Sequence, residues 1–91
     1  MISLEREINY NRYTYTQVLK GKRYYLYEQR GVAKMRCFEL FKIKVLEPMN
    51  LNGKKYEERE VFPKNEDFGK TAWTICDLDK AIAKFNELEN E

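Results

Sequence analysis

Histidine is absent from this chain, and serine occurs once, at Ser3. These absences exclude a Ser-His-Asp triad and a Cys-His nucleophile pair, because both need an imidazole base. A zinc site would have two cysteines and no imidazole, so it would need carboxylates or a second chain to reach four ligands. Any catalysis would depend on Asp, Glu, Lys, Tyr or Cys alone. We therefore predict a chain that is not an enzyme and that holds no cofactor and no metal ion.

Cysteine is also scarce, because only Cys37 and Cys76 are present and they form no Cys-x-x-Cys motif. This pattern predicts two half-buried free thiols in a reducing cytosol. The first residues carry charge by Glu5 and show none of the apolar core of an export signal. No apolar run approaches the ~18 residues that a membrane helix needs. We expect a cytoplasmic protein that does not contact a membrane.

The composition, with 43% apolar and 35% charged residues in a chain of 91, indicates one soluble domain over 1–91. The net charge of +2 is unevenly distributed. Residues 1–46 contain 10 Lys and Arg against 4 Asp and Glu, whereas residues 47–91 contain 7 against 11. The two halves therefore carry +6 and −4, a distribution that suits a polyanion, a partner protein or a second copy of the chain.

Three segments in the first third read as strands. Apolar residues alternate over 2–10, which favours a strand over a short helix as the alternative. The segments 12–19 and 23–29 are rich in Tyr, Thr and Val and flank Gly21, which is expected to close a three-residue hairpin loop in a left-handed conformation.

In the hairpin register that this loop implies, positions that sum to 40 face each other. Tyr15 then lies opposite Tyr25, and Tyr13 lies opposite Tyr27. Arg12 likewise faces Glu28 in this register.

The segment 34–47 is the longest strand candidate. Met35, Cys37, Phe41, Ile43 and Val45 share one face, with Glu39 among them. Either a central strand covered on both sides or a bulge near Glu39 explains this pattern.

Asn52 and Gly53 form the strongest hairpin signal, and they lead into a charged edge strand over 55–62. Pro48 fits an edge strand or a bulge.

Residues 71–75 are predicted to form a last short strand. Asp77 then caps a helix, and an apolar stripe of that helix is expected to pack on the sheet: Leu78, Ala81, Ile82, Phe85 and Leu88.

The sequence therefore predicts an α+β fold. An antiparallel meander of four to five strands over about 2–75 is covered by one amphipathic helix over about 77–89. The sheet is either open or curled towards a small barrel. Glu87, Glu89 and Glu91 oppose the helix dipole, so we expect the last residues to fray.

The stretch NEDFGKTAW, residues 65–73, contains Asp-Phe-Gly and Gly-Lys-Thr, two tripeptides of nucleotide-binding proteins. A phosphate-binding loop needs a glycine five positions before Gly69, and Lys64 stands there. The residues that follow read as a strand, whereas the phosphates need a helix N-terminus. We predict no nucleotide binding and a structural loop in which Phe68 and Trp73 are candidates for an aromatic rim.

Six of the seven tyrosines lie between positions 10 and 27, among several cations. The candidate binding surface consists of Tyr13, Tyr15, Tyr25, Tyr27, Arg12, Lys20, Lys22 and Arg23. Exposed tyrosines favour protein interfaces, and aromatic rings among cations also stack unpaired bases. Packing of the same rings in the core is the structural alternative.

These observations favour a small non-enzymatic binding module. Its partner is predicted to be a protein or a second copy of the chain, bound through the tyrosine-rich hairpin or an edge strand. Binding of single-stranded nucleic acid through the same hairpin is the alternative function.

Overall fold

The computed structural model describes residues 1–31 and 36–91. Its strands are β1 (Glu7–Tyr10), β2 (Tyr13–Lys20), β3 (Tyr24–Arg30), β4 (Arg36–Lys42), β5 (Lys44–Leu46), β6 (Met49–Leu51), β7 (Lys54–Tyr56), β8 (Arg59–Val61) and β9 (Ala72–Ile75). One helix, α1 (Leu78–Glu89), ends the chain, and a 3-10 turn spans Asn65–Asp67. The fold is α+β, as predicted.

Five strands form an antiparallel sheet in the order β1-β2-β3-β4-β9. The sheet is open and does not close into a barrel. The helix packs on one face, where its apolar stripe covers Leu26, Phe38 and Leu40 as predicted. The opposite face carries a second core of Tyr15, Tyr25, Tyr27, Phe41 and Ala72, which Phe62, Phe68 and the N-terminal segment cover. The inner strands β3 and β4 are therefore buried on both sides, whereas β1 is largely exposed.

The predicted strand over 34–47 is divided in the structure, because β4 belongs to the main sheet whereas β5 pairs with β8. β4 is an interior strand covered on both sides, as the sequence predicted, because Cys37 to Phe41 are all buried. Its register with β3 runs without a shift, so the alternative of a bulge near Glu39 is wrong. The start of the predicted strand, including Met35, lies outside the described residues.

The predicted strand over 2–10 is shorter in the structure. β1 covers only its end, and Ile2 instead forms a parallel bridge with Arg59. Asn11 and Arg12 have positive φ angles of 50° and 67°, so they form the two-residue turn from β1 into β2.

The predicted register of the β2–β3 hairpin is wrong. Tyr15 lies opposite Gln29 and Gln17 opposite Tyr27, and a shift between Gln17 and Leu19 brings Lys20 opposite Tyr25. This irregularity absorbs an extra residue in β2, as a β-bulge does. Gly21 is not among the glycines with positive φ, so its predicted left-handed conformation is also wrong.

Residues 44–61 form a second structure, named here the ribbon arm. β5 pairs with β8 and β6 with β7, and in both pairs the facing positions sum to 105. The predicted turn at Asn52 and Gly53 is confirmed, because both have positive φ angles. The predicted single strand over 55–62 is instead split into β7 and β8, outside the main sheet.

The helix begins as predicted, since the Asp77 carboxylate accepts a hydrogen bond from the Lys80 N–H at 2.9 Å. The helix is regular to Glu89, and fraying of the last residues stays a prediction. The Glu89 carboxylate accepts hydrogen bonds from the backbone N–H groups of Lys22, Arg23 and Tyr24, at 2.7 to 3.2 Å. In residues 1–31 and 36–91, no helix has the length and apolar character to cross a membrane.

The cysteines are joined, so the prediction of two free thiols is wrong. Cys37 follows the start of β4 and Cys76 follows the end of β9, and a disulfide connects them with a Cα–Cα distance of 4.0 Å. The β4–β9 register extended by one position places these residues opposite each other, because Phe38 faces Ile75. A spacing without a Cys-x-x-Cys motif could not reveal this cross-strand contact.

Candidate binding surface

The four tyrosines of the predicted hairpin surface share one sheet face, but three of them belong to the core. Tyr25 and Tyr27 are 0% exposed and Tyr15 is buried, whereas Tyr13 is 42% exposed. The rings of Tyr25 and Tyr27 lie 5.7 and 5.6 Å from that of Phe41. Of these four rings, only that of Tyr13 is available to a partner in this structure.

The buried hydroxyl groups are satisfied inside the protein. Tyr25 donates to the Glu60 carboxylate, and Tyr27 donates to the Glu5 carbonyl at 2.6 Å. The Tyr15 hydroxyl accepts a hydrogen bond from the Gln29 amide at 3.1 Å. Burial raises the pKa of Tyr25 and of Tyr27, so both hydroxyls stay protonated and remain donors.

The predicted cations do not gather around the tyrosines that remain exposed. Arg12 lies in the turn beside Tyr13, whereas Lys20 and the loop with Lys22 and Arg23 lie at the other end of β2. Seven residue steps of about 3.3 Å separate Tyr13 from Lys20, or roughly 23 Å. The predicted surface therefore divides into two distant ends.

The cationic end is occupied by the C-terminal helix. The Arg23 guanidinium donates to the Glu91 carbonyl at 2.6 Å. The Lys20 ammonium lies 5.4 Å from the centroid of the Tyr25 ring. These contacts leave this end without the accessible aromatic rings that base stacking requires.

Arg12 does not pair with Glu28 as the predicted register implied. Arg30 and Arg36 hold Glu28 instead, and Arg36 does so at 2.6 Å. Burial acts to raise the pKa of Glu28, but the hydrogen bonds from Arg36 and Arg30 outweigh it and lower the pKa.

Phe68 and Trp73 do not form a common rim, because they lie on opposite sides of the sheet. Phe68 packs on the tyrosine core. Trp73 packs on the helix side, with its ring 6.4 Å from that of Tyr24 and 4.9 Å from the Lys84 ammonium.

Two exposed tyrosines do meet, at the tip of the β1–β2 hairpin. Tyr10 is 58% exposed and faces Tyr13 across the turn. Behind this tip, a cleft separates β1 from the chain after β8. We name it the β1 cleft; its lining residues are Ile8, Asn9, Tyr10, Phe62, Pro63, Lys64 and Asn65. Period-two alternation marked Ile8 and Tyr10, but no local signal predicted that 62–65 would lie opposite them.

The carboxylates are dispersed in separate contacts. Within the described residues, no group of three or more Cys, Asp or Glu side chains is arranged to hold a metal ion. Glu60 binds Tyr25, and Asp67 pairs with Lys44 at 2.7 Å. Burial raises the pKa of Glu39, whose carboxylate accepts a hydrogen bond from the Thr74 hydroxyl at 3.1 Å.

Comparison of the chain with protein-family models, with curated proteins and with solved structures finds no match in any of the three.

Proposed function

We propose that this chain is a non-enzymatic binding module that takes up an extended segment of a partner protein along β1. The observation that carries the proposal is an open strand edge beside an apolar cleft. β1 is the terminal strand of the sheet, and its side chains Ile8 and Tyr10 line the β1 cleft. Addition of a strand at such an edge is a common mode of peptide recognition.

The backbone of β1 supplies the hydrogen-bonding groups for this mode. Tyr10 and Tyr13 flank a two-residue turn and so form a hydrogen-bonded pair, and the Gln17 N–H donates to the Arg6 carbonyl at 2.7 Å. Hydrogen-bonded and non-hydrogen-bonded pairs alternate along antiparallel strands. Glu7 and Asn9 lie in the non-hydrogen-bonded pairs, so their N–H and C=O groups point away from β2. These are the groups that an added strand would contact.

The other edge of the sheet is less suited to strand addition. At β9, the Ala72 carbonyl already accepts a hydrogen bond from the Gly69 N–H at 2.7 Å. Phe68 also bridges to Ala72 at this edge. β1 is therefore the better docking strand.

The side chains around β1 favour a segment with alternating apolar residues. Successive side chains of an added strand point to opposite faces, and one set would enter the cleft between Tyr10 and Phe62. Exposed aromatic rings at Tyr10 and Tyr13 provide large apolar contacts with little conformational freedom to lose. Lys64 at the far wall favours an acidic residue at one end of the segment.

The test begins with selection of peptides that bind the protein from a displayed library of random sequences. The affinity of a selected peptide is then measured for two variants of the protein at Asn9. Asn9→Pro removes the outward N–H and leaves the β1–β2 ladder intact, because proline is tolerated at such an edge position. Asn9→Ala loses the same side chain but keeps the N–H. We expect Asn9→Pro to weaken peptide binding at least ~10-fold, and Asn9→Ala to keep it within ~3-fold.

Failure to select a peptide, or equal binding by the two Asn9 variants, would contradict the proposal. Labelled single-stranded DNA and RNA serve as competing probes at about 50 and 200 mM salt. Tight binding that drops steeply between these salt concentrations would instead favour the nucleic-acid alternative, with Arg12, Tyr10 and Tyr13 as its contacts.

A cytoplasmic location stays a prediction. The Cys37–Cys76 disulfide weighs against it, because disulfides persist chiefly in oxidising compartments. Alkylation of free thiols in intact cells, before lysis, distinguishes the two cases. Labelled cysteines support the cytoplasm, and unlabelled cysteines support an oxidising compartment.

A further inference from the structure

A second strand edge, on the ribbon arm, has an unusual order of charges. Residues 54–58 read Lys-Lys-Tyr-Glu-Glu, so two cations precede Tyr56 and two anions follow it. Lys54, Lys55, Tyr56 and Glu57 are exposed, and Glu58 is half-buried. The ion pairs found among residues 1–31 and 36–91 involve none of these four charges.

This order is complementary to itself when the strand pairs with an antiparallel copy. We propose that the edge 54–58 is a self-association site, where two copies of the chain pair this segment, which comprises β7 and the two residues after it, around a two-fold axis at Tyr56. Lys54 of each copy then faces Glu58 of the other, and Lys55 faces Glu57. All four cross-strand charge pairs are attractive, and directly opposite pairs of this kind stabilise antiparallel strands.

The backbone of β7 permits this pairing as far as Tyr56, and Glu57 and Glu58 continue the edge beyond the end of β7. Leu51 and Lys54 flank the two-residue turn at Asn52 and Gly53, so the backbone groups of Lys54 and Tyr56 face β6. Those of Lys55 therefore point away from β6, towards the second copy's Glu57. Ile2 bonds to the Glu58 carbonyl and the Glu60 N–H at 2.9 and 2.8 Å, which ends the open edge at Glu58.

Apolar side chains support the same axis. The two Tyr56 rings meet at the centre of the pair, where non-hydrogen-bonded partners approach most closely. Met49, 51% exposed, lies opposite Tyr56 on the same face of the ribbon arm, and Leu51, 56% exposed, shares this face by period-two alternation. Pairing of two copies joins these apolar patches into one four-stranded ribbon.

Other arrangements of the same edge are disfavoured by the charges. In a parallel in-register pair, each Lys faces Lys and each Glu faces Glu. Antiparallel registers that keep outward backbone groups paired are shifted by two in the sum of facing positions, and they place Lys55 opposite Lys55 or Glu57 opposite Glu57. The charge order therefore selects one partner geometry while it discourages general edge aggregation. Five paired residues bury less than a typical stable interface, so the dissociation constant should be on the order of 10⁻⁴ M.

Sedimentation of the full chain over a range of concentrations at low salt tests the proposal by charge exchange. One variant carries Lys54→Glu and Lys55→Glu, and a second carries Glu57→Lys and Glu58→Lys. Each turns all four pairs of the dimer repulsive, so self-association should weaken at least ~10-fold. An equimolar mixture of the two should associate as the wild type does, and the fourfold variant should regain self-association.

The matched control for Lys54→Glu with Lys55→Glu is Lys70→Glu with Lys80→Glu, which makes the same change in net charge at exposed positions outside the arm. Self-association of this control should stay within ~3-fold of the wild type. Because Glu58 is half-buried, the single substitutions Lys55→Glu and Glu57→Lys repeat the exchange at two exposed positions. A wild type that is monomeric at millimolar concentration, or a mixture of the reversed variants that fails to associate, overturns the proposal.

Discussion

Two positions separate an exposed tyrosine from a buried one in β2. Tyr13 lies at the hairpin tip, whereas Tyr15 packs 4.9 Å from the Phe62 ring. Period-two alternation places both on one face, and the structure confirms that grouping. Near Tyr15 the facing positions sum to 44 and not to the predicted 40, and this even difference leaves Tyr13 and Tyr15 on the face that carries Tyr27. Beyond the register shift the sum is 45, and Leu19 instead packs on the helix side. The sequence did not reveal which tyrosines of this face are exposed, because Phe62 and the N-terminal segment, which come from elsewhere in the chain, cover only part of it.

Alanine substitution distinguishes the two kinds of tyrosine. Tyr25→Ala removes a fully buried ring and should lower the free energy of unfolding by about 3–5 kcal/mol. Tyr13→Ala is the control at the exposed tip and should cost less than about 1 kcal/mol. Urea denaturation measures both. Similar small losses for the two variants would mean that the tyrosine core is not as described.

At the scale of elements, one carboxylate joins the end of α1 to the β2–β3 loop. A negative charge at the C-terminal end of a helix, such as that of Glu89, interacts unfavourably with the helix dipole. Three backbone N–H groups of the loop donate hydrogen bonds to this carboxylate, and the free energy of each such bond exceeds the dipole penalty. A Cβ on Gly21 would overlap this carboxylate. Gly21 is therefore needed for close approach, and not for the left-handed turn that its position in the sequence suggested.

Glu89→Ala should lower the free energy of unfolding by about 1.5–3 kcal/mol, because it removes the acceptor of three backbone groups. Glu87→Ala is the exposed control on the same helix and should change it by less than about 0.5 kcal/mol. Burial acts to raise the pKa of Glu89, but the loop N–H groups outweigh it and lower the pKa. The stabilisation is thus complete above about pH 4.3, the pKa of an unfolded Glu, and is lost as the pH falls through the folded pKa.

Urea midpoints of the wild type and Glu89→Gln, measured at about pH 7 and pH 3, should therefore differ at the higher pH and converge at the lower.

Gly21→Ala provides an independent check of the contact between Glu89 and the loop. It should destabilise the wild type more than the Glu89→Ala variant, since the overlap disappears with the carboxylate. Additive effects of the two substitutions would contradict the contact.

At the scale of the whole molecule, two features extend or restrain the chain. The ribbon arm contributes to a radius of gyration of 14.1 Å, against roughly 12 Å expected for a compact chain of this length. The disulfide closes a loop with a sequence separation of 39, which contains β5 to β8 and therefore the entire arm. The arm is thus an excursion between two strands that the disulfide holds together.

Loss of the disulfide should lower the free energy of unfolding by about 4 kcal/mol, because the open chain regains the entropy of a loop of this size. Cys37→Ala with Cys76→Ala tests this by urea denaturation. The wild type in reducing agent should show the same loss, and the double variant should not respond to the reductant. Equal midpoints with and without reductant would show that the bond is absent or adds no stability.

The sequence by itself determined the local features whose physical cause lies within a few residues. Asn52 and Gly53 adopt positive φ at their turn, Asp77 caps its helix, and the stripe from Leu78 to Leu88 packs on the sheet. Continuous burial of Cys37 to Phe41 was also readable, because a strand covered on both sides loses polar alternation.

Only the tertiary structure decided which residues from distant segments meet. The Cys37–Cys76 bond, the Glu89 contact with the loop at Gly21, and the β1 cleft between Tyr10 and Phe62 join positions at least 39 residues apart. Such contacts depend on the register and order of strands, which leave no periodic signal in either partner segment. The same dependence explains why Tyr15, Tyr25 and Tyr27 lie in the core, whereas β1 and β7 lie at the edges of their sheets.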